Sequence, residues 1–175
     1  MEGNFVPECY FDTVLVRAIL QTESALNHKK GCNNVVKVMK EGRLKDEFAV
    51  GIVDKDKKEL DYLSEFKEYD FDKLVLYKHK DKHHYVIQLN PPIEKWIIEV
   101  AEEASIDLEL LGLPRDVERL KKITKSELVK ETPELVSLCW ALLRSNSATV
   151  KRFKDWITHL RDNKYKSNIK YLTNG

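Results

Sequence analysis

Phe48-Ala49-Val50-Gly51-Ile52-Val53-Asp54-Lys55-Asp56 runs from an apolar strand pattern into a pair of carboxylates, and the fold class turns on it. It begins almost wholly apolar and stops abruptly at the charged run Asp54-Lys55-Asp56-Lys57-Lys58. An apolar run of this length, bounded by charge, reads as a central strand of a sheet covered on both faces. In such sheets ligands bind just beyond the carboxyl ends of the strands. Side chains at i and i+2 of an extended segment point the same way. Asp54 and Asp56 therefore suit a small hard cation of the kind Mg²⁺ is, which accepts carboxylates while keeping several waters. The same pair also suits a solvated acidic turn capping the next helix, because Asp is favoured at turns and helix starts.

Upstream of that strand, Asn4-Phe5-Val6 reads as a short extended start, and Pro7 delays helix entry at Glu8. Val14, Leu15, Ala18 and Ile19 then share one helical face, with Asp12 or Thr13 available as the cap. Residues 23–31 are weakly patterned and read as a loop with room for a short strand. A second helix starts at Asn33 or Asn34, runs through Val35, Val36, Val38 and Met39, and ends at Gly42. Downstream, Leu60, Leu63 and Phe66 recur every three residues and predict a helix between Asp56 and Phe71. Lys73–Tyr77 and His84–Leu89, joined by a polar tip, read as a hairpin that Asn90-Pro91-Pro92 closes.

From Ile93 onward the pattern is helical. Thr132-Pro133-Glu134 is a helix start leading into Leu135, Leu138, Cys139 and Leu142. Ser147 caps a last helix carrying Val150, Phe153, Trp156, Ile157 and Leu160, and the polar tail from Asp162 is expected to fray. The order of elements predicts an α/β fold: a small, mostly parallel sheet flanked by helices over residues 1–92, with a helical region over 93–175 packed on it.

Composition narrows the classes. The 175 residues are 42% hydrophobic and 34% charged, and no apolar stretch approaches the roughly 20 residues a membrane span needs. The first residues, Met1-Glu2-Gly3-Asn4, carry neither a basic region nor a long apolar one, so a secretory leader is not expected. Cys9, Cys32 and Cys139 are odd in number and form no CxxC pair, which predicts reduced thiols, a cytoplasmic setting and no structural zinc. The net charge of +1 hides an asymmetry. Residues 114–175 hold 14 Lys+Arg against 7 Asp+Glu, a balance of +7, so residues 1–113 hold 16 against 22, a balance of −6. An acidic part able to hold a cation beside a basic part able to touch phosphates suits a nucleic-acid enzyme.

Glu8 ends the first strand as Asp54 ends the later one, and Asp12 follows Glu8 by about one helical turn. Clustered acids repel unless a cation neutralises them. Glu8-Cys9-Tyr10-Phe11-Asp12 after a short strand, followed by Val50-Gly51-Ile52-Val53-Asp54-Lys55-Asp56, resembles the TOPRIM domain of topoisomerases, bacterial primases, small maturation ribonucleases and nucleases of the overcoming-lysogenisation-defect type. Gly31-Cys32-Asn33-Asn34-Val35-Val36-Lys37-Val38 resembles the opening of the second helix in the nuclease-like branch. The resemblance covers residues 4–90 and rests on short motifs in the right order. It departs at Cys9, where the family often has glycine, and at the poorly marked second strand.

The resemblance implies a metal-dependent phosphodiester-acting enzyme, a nuclease on DNA or RNA. Asp54 and Asp56 would bind Mg²⁺ or Mn²⁺, Asp12 would be a further ligand, and Glu8 would act as general acid or base or complete the metal shell. Lys55, Lys57 and Lys58 would steer a phosphate backbone toward the ion, or simply flank a solvated turn. No G-x-x-x-x-G-K-[ST] run is present, so any ATPase must come from a partner protein. The competing reading is a catalytically inactive TOPRIM-like module that binds nucleic acid or a partner protein. Glu94 is an optional extra ligand, His79, His83 and His84 are read as idle at a hairpin tip, and Trp96, Trp140 and Trp156 as core. Lys151, Arg152, Lys154, Arg161, Lys164 and Lys166 form a basic cluster open to nucleic acid or to plain solvation.

Overall fold

In the computed structural model, which describes residues 2–24, 26–55, 60–125 and 132–174, the strand β2 (Ala49–Asp54) lies inside a five-stranded sheet. Its neighbours are β1 (Phe5–Pro7) and β5 (His84–Leu89), both parallel to it. β4 (Leu74–His79) pairs antiparallel with β5, and β3 (Phe66–Phe71) pairs antiparallel with β4. The order is β1-β2-β5-β4-β3, so one half of the sheet is parallel and the other is a hairpin. Asn27 and Lys29 donate their N–H groups to Phe5 O and Pro7 O at 3.2 and 3.0 Å. This weakly patterned segment forms no regular strand, yet its alternate amides cover the outer edge of β1.

Helices cover both faces. α2 (Cys32–Lys40) packs on one face of β2, where Val35 and Met39 meet Val6, Ala49 and Val53. Gly51 makes that approach close, since an added Cβ would lie 2.8 Å from Met39 Sδ and 3.0 Å from Val35 Cγ1. On the other face, Val50, Ile52 and Ile87 meet α1 (Tyr10–Leu20), α3 (Ile93–Glu103), α5 (Pro133–Arg144) and α6 (Ala148–Asn163). One continuous core joins Leu15, Trp96, Leu138 and Phe153 to that face of the sheet. α4 (Val117–Thr124) rests against α3, and α7 (Ile169–Thr173) against α6. Among the described residues, no helix is long and apolar enough to cross a membrane.

Several expectations are corrected, the helix starts among them: α1 is capped by Cys9 rather than by Asp12 or Thr13, and α2 begins at Cys32 after Gly31 rather than at Asn33 or Asn34. The spacing of three in Leu60, Leu63 and Phe66 belongs to a 3₁₀ turn at Asp61–Glu65, whose period is three, and Phe66 opens β3. His79 and His84 are strand residues rather than tip residues, 3% and 0% exposed. Trp140 lies 43% exposed on the outer side of α5, while Trp96 and Trp156 are core. The tail does not fray: Tyr165 packs beside Phe48 and His83, and Trp156 Nε1 donates to Leu172 O at 2.7 Å.

The two buried histidines explain how polar groups survive between β4, β5 and the 3₁₀ turn. His79 Nδ1 accepts the N–H groups of Asp81 and Lys82 at 3.0 and 3.1 Å, which leaves Nε2 to donate to Glu65. His84 Nε2 lies 2.8 Å from Leu44 O and Nδ1 lies 2.7 Å from the Tyr62 hydroxyl. Burial pushes the His84 pKa down, so the ring is neutral, donating to Leu44 and accepting from Tyr62. His84→Phe keeps the ring volume but strands the Tyr62 hydroxyl and Leu44 carbonyl, at about 1–3 kcal/mol each. We expect a stability loss of about 2–5 kcal/mol, read as a lower urea midpoint at unchanged slope.

Candidate functional site

The carboxyl ends of β1 and β2 meet at one rim of the sheet. Pro7 pairs with Ile52, and Glu8 extends that ladder by donating its N–H to Ile52 O at 3.0 Å. Glu8 Oε2 in turn accepts the Asp54 N–H at 2.8 Å. The chain after Glu8 turns directly into α1. Cys9 is the N-cap: its Sγ accepts from Asp12 N at 3.3 Å, and Asp12 Oδ2 accepts from Cys9 N at 3.2 Å. This reciprocal capping box places Asp12 in the first turn, only 1% exposed, facing the same rim. Cys9 itself is extended, with φ −119° and ψ 168°, a conformation open to any residue. The turn therefore does not need the glycine that the motif often carries there.

Asp54 lies on the face of β2 shared by Val50 and Ile52, toward α1 and α3. Its carboxylate takes a hydrogen bond from the Ile93 N–H in the first turn of α3. Burial, and then the charges of Asp12 and Glu8, push the Asp54 pKa up to about 9. Asp12 is raised to about 7, first by burial and then by the charge of Glu8, against hydrogen bonds from Cys9 that pull it down. The field of Glu94 raises both carboxyls further. Glu94 is 6% exposed and accepts from Thr124 Oγ1 at 2.9 Å, so its place at the start of α3 is part of the same acidic rim. Burial and the two aspartates also hold the Cys9 thiol well above its usual pKa, which leaves it protonated and a poor nucleophile. Burial and then Asp12 push Cys139 up in the same way from α5.

Glu8, Asp12 and Asp54 are thus brought together, and Glu94 joins them. Lys55 follows Asp54, exposed, with its N–H bonded to Leu89 O. Asp56, Lys57 and Lys58 lie outside the described residues. Asp12 Oδ1 and Asp54 Oδ1 are buried without a hydrogen-bond partner. An unpartnered buried carboxyl oxygen is costly, and two beside each other are the arrangement a cation relieves. Among the described residues, however, no three histidine, cysteine or acidic side chains converge closely enough to hold a metal ion by themselves. The donor set fits an oxygen-seeking ion that takes one or two carboxylates and keeps its waters, rather than a closed protein cage.

A concave pocket of about 540 Å³ opens beside Asp54 on the α2 side, lined by Lys55, Asp61, Glu68, Asp70, Tyr77 and Gln88 among others. Its acids disfavour phosphate. No protein-family model, no curated protein and no solved structure matches the chain.

The raised values fix the sign of a pH effect. The folded protein keeps protons on Asp12 and Asp54 that the unfolded chain releases near pH 4. Stability from these groups is full below that point and declines as pH rises through about 7 and on to about 9. In chelator, the melting temperature should fall between about pH 5 and about pH 9 more steeply for the wild type than for Asp54→Asn, whose amide cannot ionise. Equal slopes would remove Asp54 from the account.

Proposed function

We propose that the protein is a divalent-cation-dependent enzyme acting on phosphodiester bonds, a nuclease on DNA or RNA with a TOPRIM-like acidic site. One observation carries the reading. Carboxylates from two distant segments, Glu8 and Asp12 from one and Asp54 from the other, meet at the carboxyl rim of the sheet, and two of them keep a buried oxygen without a partner. Mg²⁺ or Mn²⁺ would be held by Oδ1 of Asp12 and Asp54, with Asp56 the further ligand expected from the sequence. Bound there, the cation supplies charge stabilisation toward a phosphodiester in phosphoryl transfer.

The other tasks fall to the chain itself. Glu8 holds the Asp54 backbone in place through its N–H, which fixes the direction of the aspartate, and it is the group placed to hold or move a proton beside the cation. Ile93 N–H orients the Asp54 carboxylate from the other side. Burial by α1 and α3 keeps water from screening the site, so each charge acts at greater strength there. Lys55 is the exposed cation next to Asp54, and among the acids of the α2-side pocket it offsets part of their repulsion toward a phosphate chain.

A second reading has its own observation. The Glu8 carboxylate is engaged on the Asp54 backbone, and no three ligating groups converge among the described residues, as in a module that binds without cutting. Two measurements separate the readings. Titration with Mg²⁺ or Mn²⁺ should raise the melting temperature by mass action, about 2.7 kcal/mol at a hundredfold excess over Kd, and Asp54→Ala should abolish the rise. Wild type should cleave mixed nucleic acids while Glu8→Gln and Asp12→Asn lose roughly a hundredfold or more in rate. Absence of both the thermal response and cleavage would leave the non-catalytic reading.

A further inference from the structure

We propose that the pocket between the first turns of α6 and the returning helix α7 takes one unpaired base of a nucleic-acid strand, whose adjoining phosphates are held by Lys151 and Arg152. The proposal rests on nucleic acid being the substrate class, and adds where the strand goes.

Its first support is position. Asp54 pairs with Leu89, Leu89 with Leu74, and Leu74 with Phe71, a straight row across the sheet at the carboxylate rim. Three strand spacings of about 4.8 Å put Phe71 about 14 Å from Asp54. The Arg152 guanidinium lies 4.3 Å from the centre of the Phe71 ring, and Trp156 packs on the same ring at 5.3 Å. Arg152 therefore stands at the same rim as the acids, about four nucleotides away at the duplex rise of about 3.4 Å, and fewer along an extended strand.

Its second support is the pocket itself, of about 490 Å³, a size that accepts small aromatic groups. Trp156 and Leu172 form its buried floor, Lys151, Arg152 and Asp155 line the α6 side, and Tyr171 lines the α7 side. Tyr171 is 57% exposed, an unusual place for a large ring. It is nevertheless held, stacked on His159 at 4.4 Å and 17° between planes. His159 is fixed in turn, its Nε2 accepting the Asn168 N–H at 3.2 Å. A ring already locked in place offers a stacking platform at little further entropic cost. Only an unstacked base can use it, which selects a single strand over a duplex.

The third support is charge. The first two turns of α6 and the start of α7 carry Lys151, Arg152, Lys154 and Lys170 against Asp155, a balance of +3, while Tyr165, between Lys164 and Lys166, packs on Phe48 and His83 at the other end of the strands. The pocket on the opposite side of Asp54 carries Asp61, Glu68 and Asp70. A polyanion reaching the rim is drawn to the α6 side and repelled from the α2 side.

The test is fluorescence anisotropy with labelled DNA and RNA strands of about 12 nucleotides, within the site sizes of such proteins, in chelator and on the Asp54→Asn background. Neither cation nor cleavage then enters the measurement. Single strands should bind more tightly than the matching duplex. Tyr171→Ala should weaken binding roughly tenfold or more, whereas Tyr171→Phe, which keeps the ring, should stay within about twofold. Lys151→Glu, at an exposed position independent of packing, should lower affinity and flatten the salt dependence by about one phosphate contact, and Lys122→Ala on α4 should change nothing. No binding, or single-strand affinity indifferent to Tyr171→Ala and Lys151→Glu, overturns the proposal. Strand binding of this pattern without any cation response in the wild type would sink the enzyme reading and leave this one standing; cleavage with affinity indifferent to Tyr171 and Lys151 would do the reverse.

Discussion

The site depends on a very short parallel ladder. β1 meets β2 over Phe5, Val6 and Pro7 alone, and Glu8 adds one more bond beyond the assigned strand. A slip by one residue would turn every side chain of β1 to the other face and carry Glu8 away from Asp54. The register is therefore held by more than the ladder. Phe5 packs edge-on against Phe48, Val6 is buried under α2, and Asn4 Nδ2 bonds to Phe48 O at 2.7 Å. The amides of Asn27 and Lys29 secure the outer side.

Around that ladder the protein sets acids against packing. Asp12, Asp54 and Glu94 sit where helices exclude water, and their neighbours are one another, Glu8, two thiols, main-chain amides and the Thr124 hydroxyl, with no cationic side chain of the described residues among the main influences on either aspartate. Folding gains nothing from gathering like charges in a poorly solvated place. Elsewhere the same chain satisfies its buried polar groups with care, as in the Tyr62–His84–Leu44 and His79–Glu65 networks. The contrast between a settled polar interior on one face and unpartnered carboxyl oxygens on the other is what singles out the rim.

Much of the fold was legible because its signals are local and apolar. The run 48–53 reads as a covered strand and is one, and the Ser147 cap and Thr132-Pro133 start precede α6 and α5 as expected. The missed elements failed for identifiable reasons. The spacing of three in Leu60, Leu63 and Phe66 fits a 3₁₀ turn better than an α-helix, and β3 lies in a segment where only Phe66 is buried. His79 and His84 looked like tip residues because lysines surround them, whereas their ring nitrogens serve buried carbonyls, amides and a hydroxyl. Of the site, Glu8, Asp12 and Asp54 carry a motif-like spacing. Glu94 does not, since an acid in the first turn of a helix is ordinary, and only the rim brings it near. The cap at Cys9 had no sequence signal, because cysteine is not a customary N-cap residue.

The strand order has a bearing on assembly. β5 enters between β2 and the hairpin of β3 and β4, so the centre of the sheet is filled by its last strand in the chain. Pairing β2 with β5 closes a loop of some thirty residues, a slow, non-local step compared with forming the hairpin. α3, whose first turn covers Asp54, follows β5 directly. The carboxylate of Asp54 is thus covered by a helix that the chain reaches only after the last strand of the sheet, so the segment that imposes the buried charge is separate from the one that carries it.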